Sequence, residues 1–286
     1  FDYTFNPDNG LAAGGDCAGV VTGKLSHDIV DRVTEIEWKN ATGGVLRSFG
    51  YAFNSAWMIT NIPYQNGDRL VLTSDDLDRL TGELLADSTN GTIYQRSYGF
   101  DLAGNRTNMV ENGTNVTYTY ADGCNRLLSW TGEGAMKYDT AGNVTNIERG
   151  VSDKVGLGYN DRYQVTTLST NGVECERNGF DALGRRVWTW DGISTNYFVY
   201  DGSHVIAEVG TSGSLVCSYA RGPGADNWLA MTIHTGATAR TYFFLTDHLG
   251  TVHALADSAG AIVESYRFDA WGKVLGVYDG SGTAIA

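Results

Sequence analysis

Phe100-Asp101-Leu102-Ala103-Gly104-Asn105-Arg106 is the stretch whose reading decides the fold. It returns as Tyr138-Asp139-Thr140-Ala141-Gly142-Asn143-Val144 and as Phe180-Asp181-Ala182-Leu183-Gly184-Arg185-Arg186. Looser copies run from Tyr120 to Arg126 and from Tyr159 to Gln164. Each copy joins an aromatic residue, an Asx or small residue and, in most copies, a later Gly. An Asp side chain accepts hydrogen bonds from backbone N–H groups two residues on, which favours a turn. A Gly three residues after it tolerates the left-handed backbone of a type I turn with a bulge. The aromatic before the turn and the apolar residue after it are then expected to face each other across two strands. One copy specifies a β-hairpin.

The post-turn position gives the period. Arg32, Met58, Arg79, Arg106, Arg126, Val144, Gln164 and Arg186 follow one another at steps of roughly 18 to 27 residues, within the range of repeat architectures. The segments between turns alternate apolar and polar, as in Val116-Thr117-Tyr118-Thr119-Tyr120 and Arg186-Val187-Trp188-Thr189-Trp190. Alternation at period two indicates half-buried strands. A hairpin with one apolar face cannot cover that face alone, so neighbouring hairpins must stack beside it. The expected fold is all-β: successive hairpins forming a long, twisted, spiral sheet of shell or barrel-like type.

Composition agrees. The 286 residues include 37 Gly and only 3 Pro, and charged residues make up 19%, below the roughly 25% usual for soluble domains. Many Gly, Tyr, Thr and Val suit turns and strands rather than helices. At 42% hydrophobic the chain has ample apolar material, which argues against disorder. A net charge of −13 argues against nucleic acid or anionic lipid as the main partner, since both call for clustered Lys and Arg. Cys17, Cys124, Cys175 and Cys217 are scattered without metal-ligand spacing, so a zinc site is not expected. No stretch is apolar enough for a membrane span. The chain starts at Phe1 in what reads as a strand, and we expect it to be a piece of a longer polypeptide.

Beyond Phe198 the phrase changes character. Two longer blocks stand out: Asp247-His248-Leu249-Gly250-Thr251 and Phe268-Asp269-Ala270-Trp271-Gly272-Lys273. With the spaced aromatic-Asp copies, these blocks make the chain resemble Rhs/YD-repeat proteins, and the segment from Tyr197 to Lys273 resembles their repeat-associated core region. The resemblance runs from about Asp31 to Lys273. It implies a hollow spiral of hairpins that encloses a variable C-terminal toxin in bacterial relatives, and belongs to cell-adhesion proteins in animal ones. In toxin-bearing relatives the core region leads into a segment that cleaves itself through aspartates. No such segment follows Trp271-Gly272-Lys273 before Ala286. The shell role is therefore carried over and the protease residues are not. The expected divisions are N-terminal strands over 1–30, a hairpin array over 31–197 and a core-like region over 198–286.

Other chemistry competes with the turn reading. Asp247-His248 suggests a general base, but no nucleophile can be tied to it from sequence. Asp101, Asp139 and Asp181 each stand alone in a turn, whereas a calcium loop needs several carboxylates on one ion. Trp130, Trp188, Trp190, Trp228 and Trp271 would suit a sugar-stacking platform, but aromatics beside every turn read first as a packing ladder. Asn40, Asn90, Asn105, Asn112, Asn115 and Asn143 lie in Asn-x-Thr sequons, which would mark exposed loops in a eukaryotic secretory route. The expectation is a non-catalytic structural section, without cofactor, of a secreted or surface protein. Its partners are expected to be the rest of its own polypeptide, including a C-terminal effector. The alternatives are a module that binds a cell-surface protein or glycan, and part of a self-cleaving aspartyl shell.

Overall fold

Every regular element among the described residues is a β-strand. The structure, a computed structural model, describes residues 1–286 apart from 8, 9, 133, 151, 224–226, 235, 237 and 286. No described helix is long and apolar enough to cross a membrane. The chain divides into unit 1, Phe1–Gln95 with Cys217–Ala286, and unit 2, Arg96–Val216.

Unit 1 opens with β1 (Asp2–Phe5), β2 (Ala12–Cys17), β3 (Val21–His27), β4 (Val33–Asn40) and β5 (Val45–Gly50), one antiparallel sheet in that order. It continues through β6 (Ala52–Phe53), β7 (Ile59–Pro63), β8 (Arg69–Ser74) and β9 (Leu80–Ala86) into the first residues of β10 (Thr92–Phe100). Unit 2 takes the rest of β10, then β11 (Arg106–Glu111), β12 (Thr114–Tyr120), β13 (Leu127–Trp130), β14 (Gly134–Tyr138) and β15 (Val144–Arg149). It proceeds through β16 (Asp153–Tyr159), β17 (Val165–Thr170), β18 (Val173–Phe180), β19 (Arg186–Trp190), β20 (Thr195–Asp201) and β21 (His204–Gly210). Then β22 (Leu215–Arg221) leads back into unit 1, which ends with β23 (Trp228–Ile233), β24 (Arg240–Thr246), β25 (Val252–Ala256), β26 (Ile262–Phe268) and β27 (Val274–Asp279). Strand order in each unit follows chain order, with β27 followed by β6 in unit 1. This is the expected all-β, hairpin-by-hairpin antiparallel architecture.

The two units bury their apolar residues differently. In unit 1, Cys17 and Val21 of the first sheet pack on Ala230, Phe243, Leu245, Ala254 and Ala256 of β23 to β25. Ile36, Phe49 and Tyr51 form a second cluster, and Leu70, Leu85 and Tyr94 a third. A fully buried side chain of this kind stabilises by about 1.5–3 kcal/mol. Unit 2 contributes no member to these clusters. Its strands are mostly half-covered on both faces: β11, for example, is half-buried at every position.

Unit 2 is held by its turns and by tyrosines. At one end of its hairpins, the Asp101, Asp139, Asn160 and Asp181 turns each close with an N–H to C=O bond across five residues. At the other end, Asn112-Gly113 and Asn171-Gly172 make two-residue turns with φ of +48° and +87°, and of +53° and +80°. That is the backbone of the type I′ hairpin turn. Between hairpins, Tyr120 Oη donates to the Arg106 carbonyl (3.0 Å), Tyr138 to Leu127 (2.6 Å), Tyr159 to Val144 (2.7 Å) and Tyr200 to Arg186 (2.7 Å). Each bond runs from the end of one strand to the first residue of the strand before it. The aromatic ahead of the turn, expected only to pack, is also an inter-hairpin fastener wherever it is Tyr.

Candidate functional site

The repeat turns come first. Asp101 Oδ1 accepts the Asn105 backbone N–H and Oδ2 accepts Asn105 Nδ2, both at 2.8 Å. Asp139 repeats this with Asn143, again at 2.8 Å for both bonds. Asp181 Oδ1 accepts the N–H groups of Leu183 and Arg185 (both 2.9 Å), and Oδ2 accepts Arg185 Nε at 2.7 Å. Gly104, Gly142 and Gly184 sit at φ of +85°, +94° and +85°. A register bulge lies beside each aromatic, so Phe100 pairs with Arg106, Tyr138 with Val144 and Phe180 with Arg186. The partner is thus Arg in two of the three copies, not an apolar residue. Hydrogen bonds from Asn105 and Asn143 hold Asp101 and Asp139 below the usual carboxylate range. For Asp181, partial burial acts upward but is outweighed by the Arg185 backbone and guanidinium. Both oxygens of each carboxylate are spent inside the turn. Sequons Asn105 and Asn143 have their amide groups tied up in the same bonds.

Successive turns at this end of unit 2 also bond to one another. Asn105 donates to Asn125 Oδ1 (3.0 Å), Arg162 to the Ala182 carbonyl (2.8 Å), Gln164 to the Gly184 carbonyl (3.1 Å) and Arg185 to the Gly202 carbonyl (2.6 Å). Asn105, Gln164 and Arg185 therefore each bond both back to their own Asx residue and on to the next turn.

The two C-terminal blocks lie in unit 1 and converge on one cavity of about 440 Å³ lined by His248, Leu249, Phe268, Trp271 and Tyr51 among others. Asp247 Oδ1 accepts the Leu249 and Thr251 N–H groups, both at 2.9 Å. Its Oδ2 lies 3.2 Å from His253 Nε2. Burial acts upward on Asp247, yet the His253 contact and the turn N–H groups outweigh it and hold the carboxyl below its ordinary value. The His248 backbone N–H donates to Tyr51 Oη at 3.1 Å, and the two rings lie 4.4 Å apart. Burial lowers the His248 imidazole below 6.5 despite the opposing pull of Asp247. Burial also raises Tyr51, and pushes Tyr64 up to about 12.

The second block repeats the device. Asp269 Oδ1 accepts the Trp271 and Lys273 N–H groups at 2.9 and 2.8 Å. The Ala270 N–H, just ahead of Trp271, donates to Glu83 Oε2 at 2.7 Å, which also accepts from Tyr94 Oη at 3.0 Å. Phe268 meets the His253 ring at 5.2 Å. Leu249 and Trp271 point outward, 77% and 51% exposed, while Gly250 and Gly272 take φ of +80° and +81°. These turns act as staples: each borrows a partner from far along the chain to lock the last strands onto the region from β5 to β10. Sequence reasoning did not find Tyr51, Glu83, Tyr94 and His253. The interruption of a half-exposed pattern by an apolar run with one carboxylate, Leu80-Thr81-Gly82-Glu83-Leu84-Leu85, was the available signal for Glu83.

As chemistry, Asp247 and His253 make a partly buried carboxylate–imidazole pair. Among the described residues no Ser or Cys lines the cavity beside it. No group of three or more His, Cys, Asp or Glu among the described residues is placed to hold a metal ion. The arrangement is suited to fastening strands.

A turn built on Asp with a following Gly is repeated through an all-antiparallel chain that ends in two stapled blocks. The Teneurin YD-shell family model matches residues 17–279. The chain belongs to the Teneurin YD-shell family. Among curated proteins, this YD-shell chain is 27% identical over 268 residues to double-stranded DNA deaminase toxin A of Burkholderia cenocepacia, covering 82% of the chain and 17% of that protein. It is 25% identical over 191 residues to tRNA nuclease WapA of Bacillus subtilis, covering 64% of the chain and 8% of that protein. The YD-shell chain thus spans less than a fifth of these relatives. Among solved structures, the Photorhabdus luminescens Tc holotoxin pore matches with TM-score 0.75 and 13% identity over 96% of this chain and 15% of that one. TcdB2-TccC3-Cdc42 matches with TM-score 0.73 and 14% identity over 98% of this chain and 16% of that one. These two likenesses show a shared fold.

Proposed function

We propose that this YD-shell chain is a wall section of a larger secreted or surface polypeptide of the Rhs type, and that it encloses or presents an effector domain carried C-terminal to it. The observation that carries this is an apolar sheet face in unit 2 that stays partly exposed among the described residues. Trp188 pairs with Tyr197, Tyr197 with Val209, and Val199 with Ala207, so these side chains share one face. Tyr197 and Val199 on that face remain 43% and 40% exposed. A sheet with an apolar face is stable when something covers it, and a polypeptide held against the wall would do so. The named relatives are toxins and nucleases several times longer than this chain, which supports the reading. In it the chain performs no catalytic step: its carboxylates are engaged in turns and staples.

The test is limited proteolysis of the full parent polypeptide. The segment following the shell should be digested many-fold more slowly in the parent than when expressed alone, and Val199→Asp with Tyr197→Asp should weaken that protection. Equal digestion rates in the parent and in isolation would sink the enclosing role.

A further inference from the structure

Arg47 of β5 is buried at its guanidinium Nε, and that atom has no hydrogen-bond partner among the described residues. The side chain lines a second cavity of unit 1, of about 240 Å³, with Arg267, Asp68, Ser48, Tyr64 and Tyr278. Asp68 is the one carboxylate among the described lining residues, and it is already engaged. It accepts Arg267 Nη2 at 3.1 Å and Asn66 Nδ2 at 2.8 Å. Two guanidinium charges less one carboxylate charge leave the cavity one positive charge in excess. Burial, and then repulsion from Arg267, lower the Arg47 pKa, the direction expected of a cation lacking a counter-charge. A buried unpaired charge is strongly unfavourable, and a guanidinium fork is shaped for two oxygens of one anion. Ser48, Tyr64 and Tyr278, residues that carry hydroxyl groups, line the same space.

We propose that this cavity is a binding site for a small, singly charged oxyanion, of carboxylate or dihydrogen phosphate type, seated on Arg47 with Arg267 at its side. The size fits one such ion with ordered water, and the single excess charge disfavours polyphosphates. The site lies beside the staple cavity: Phe49, Tyr64, His253 and Phe268 border both, whereas Arg47, Asp68 and Arg267 line this one.

The test titrates the full chain with sodium phosphate near pH 6, and in a second arm with sodium acetate, against sodium chloride at matched ionic strength. In at least one arm the melting temperature of the wild-type chain should rise to saturation, and the responding arm identifies the oxyanion type. Arg47→Met should abolish that rise while melting no lower than wild type in oxyanion-free buffer. Asp68→Asn should tighten the apparent affinity several-fold by removing the competing negative charge. If Arg47→Met does not fold, the Arg47 Nε–H resonance of the wild-type chain takes its place and should shift during the same titration. Wild type and Arg47→Met responding alike to both anions, or an unmoved resonance, would overturn the proposal.

Discussion

In unit 1, Leu245 and Ala254 have no exposed surface, sealed between two sheets. In unit 2, Val199 occupies an ordinary strand position and keeps 40% of its surface exposed. Both regions are built from the same antiparallel hairpins and the same Asx turn. What differs is the source of stability. Unit 1 has the sandwich solution, in which apolar faces cover each other. Unit 2 relies on edges: Asx turns, turn-to-turn bonds and the hydroxyls of Tyr120, Tyr138, Tyr159 and Tyr200. Arg106 adds a stacking contact, 4.6 Å from the Tyr118 ring centre, of a kind worth about 0.5–1 kcal/mol at exposed sites. Were one face of unit 2 kept for another polypeptide, as proposed, a sandwich would not serve there.

The largest expected effect tests the packed side of this comparison. Phe49 is 1% exposed and touches the Tyr64 and His253 rings. Phe49→Ala should destabilise unit 1 by about 3–5 kcal/mol, read as a shift of the denaturation midpoint. Tyr138→Ala in unit 2 should lose less, about 1–2 kcal/mol, because its ring is only half-buried. Tyr138→Phe isolates the hydroxyl bond to Leu127 and should lose about 1 kcal/mol. Equal losses for Phe49→Ala and Tyr138→Ala would erase the distinction between the units, and no loss for Tyr138→Phe would remove the tyrosine fastener.

Next come the turn glycines. Gly142 sits at φ +94°, so Gly142→Val should lose about 1 kcal/mol or more. The equivalent position of the Asn160 turn carries Tyr163, at φ +62° and 65% exposed. Tyr163→Gly should therefore be neutral or stabilise by up to about 0.5 kcal/mol. Opposite signs at these two positions would confirm that the backbone, not the side chain, sets the demand.

The smallest effect is pH dependence, and it separates the units. His248 in unit 1 has a folded-state pKa depressed below the ordinary 6.5 by burial. Its contribution is present above the unfolded value and is lost as pH falls from about 6.5 through the depressed folded pKa. The turn aspartates of unit 2 are depressed below 3.8, so their contribution is lost only at more acid pH. Between about pH 6 and 4, unit 1 should weaken while unit 2 holds, and His248→Gln should flatten the unit 1 response. An unchanged unit 1 over that interval would show that His248 protonates as freely folded as unfolded.

Much of this fold was legible because its determinants are local. Asp139, Gly142 and Asn143 lie within five residues, and their hydrogen bonds close inside that span. The alternation in β12 and β19 reads directly as strand. The staples were not legible, because Tyr51 meets His248 across 197 residues and Glu83 meets Ala270 across 187. Their partners give no local signal beyond an unusual carboxylate in an apolar run. Nor did the phrase reveal that the left-handed position admits Trp57 and Tyr163 as well as Gly, at φ of +68° and +62°. The five-residue closure and the Asx side chain hold those turns strongly enough to absorb the strain. The second role of the repeat tyrosines was hidden too, since Phe100 and Phe180 occupy the same place without a hydroxyl.

Hydrogen exchange of the intact chain under native conditions, resolved by peptide, tests the comparison most directly. Amides of β23 to β25 should be the slowest to exchange, and amides of β13 to β19 should exchange through openings of distinctly lower free energy. Equal or greater protection across β13 to β19 would contradict a sheet held at its edges, and would mean that unit 2 has a stabilising source other than its turns and tyrosines.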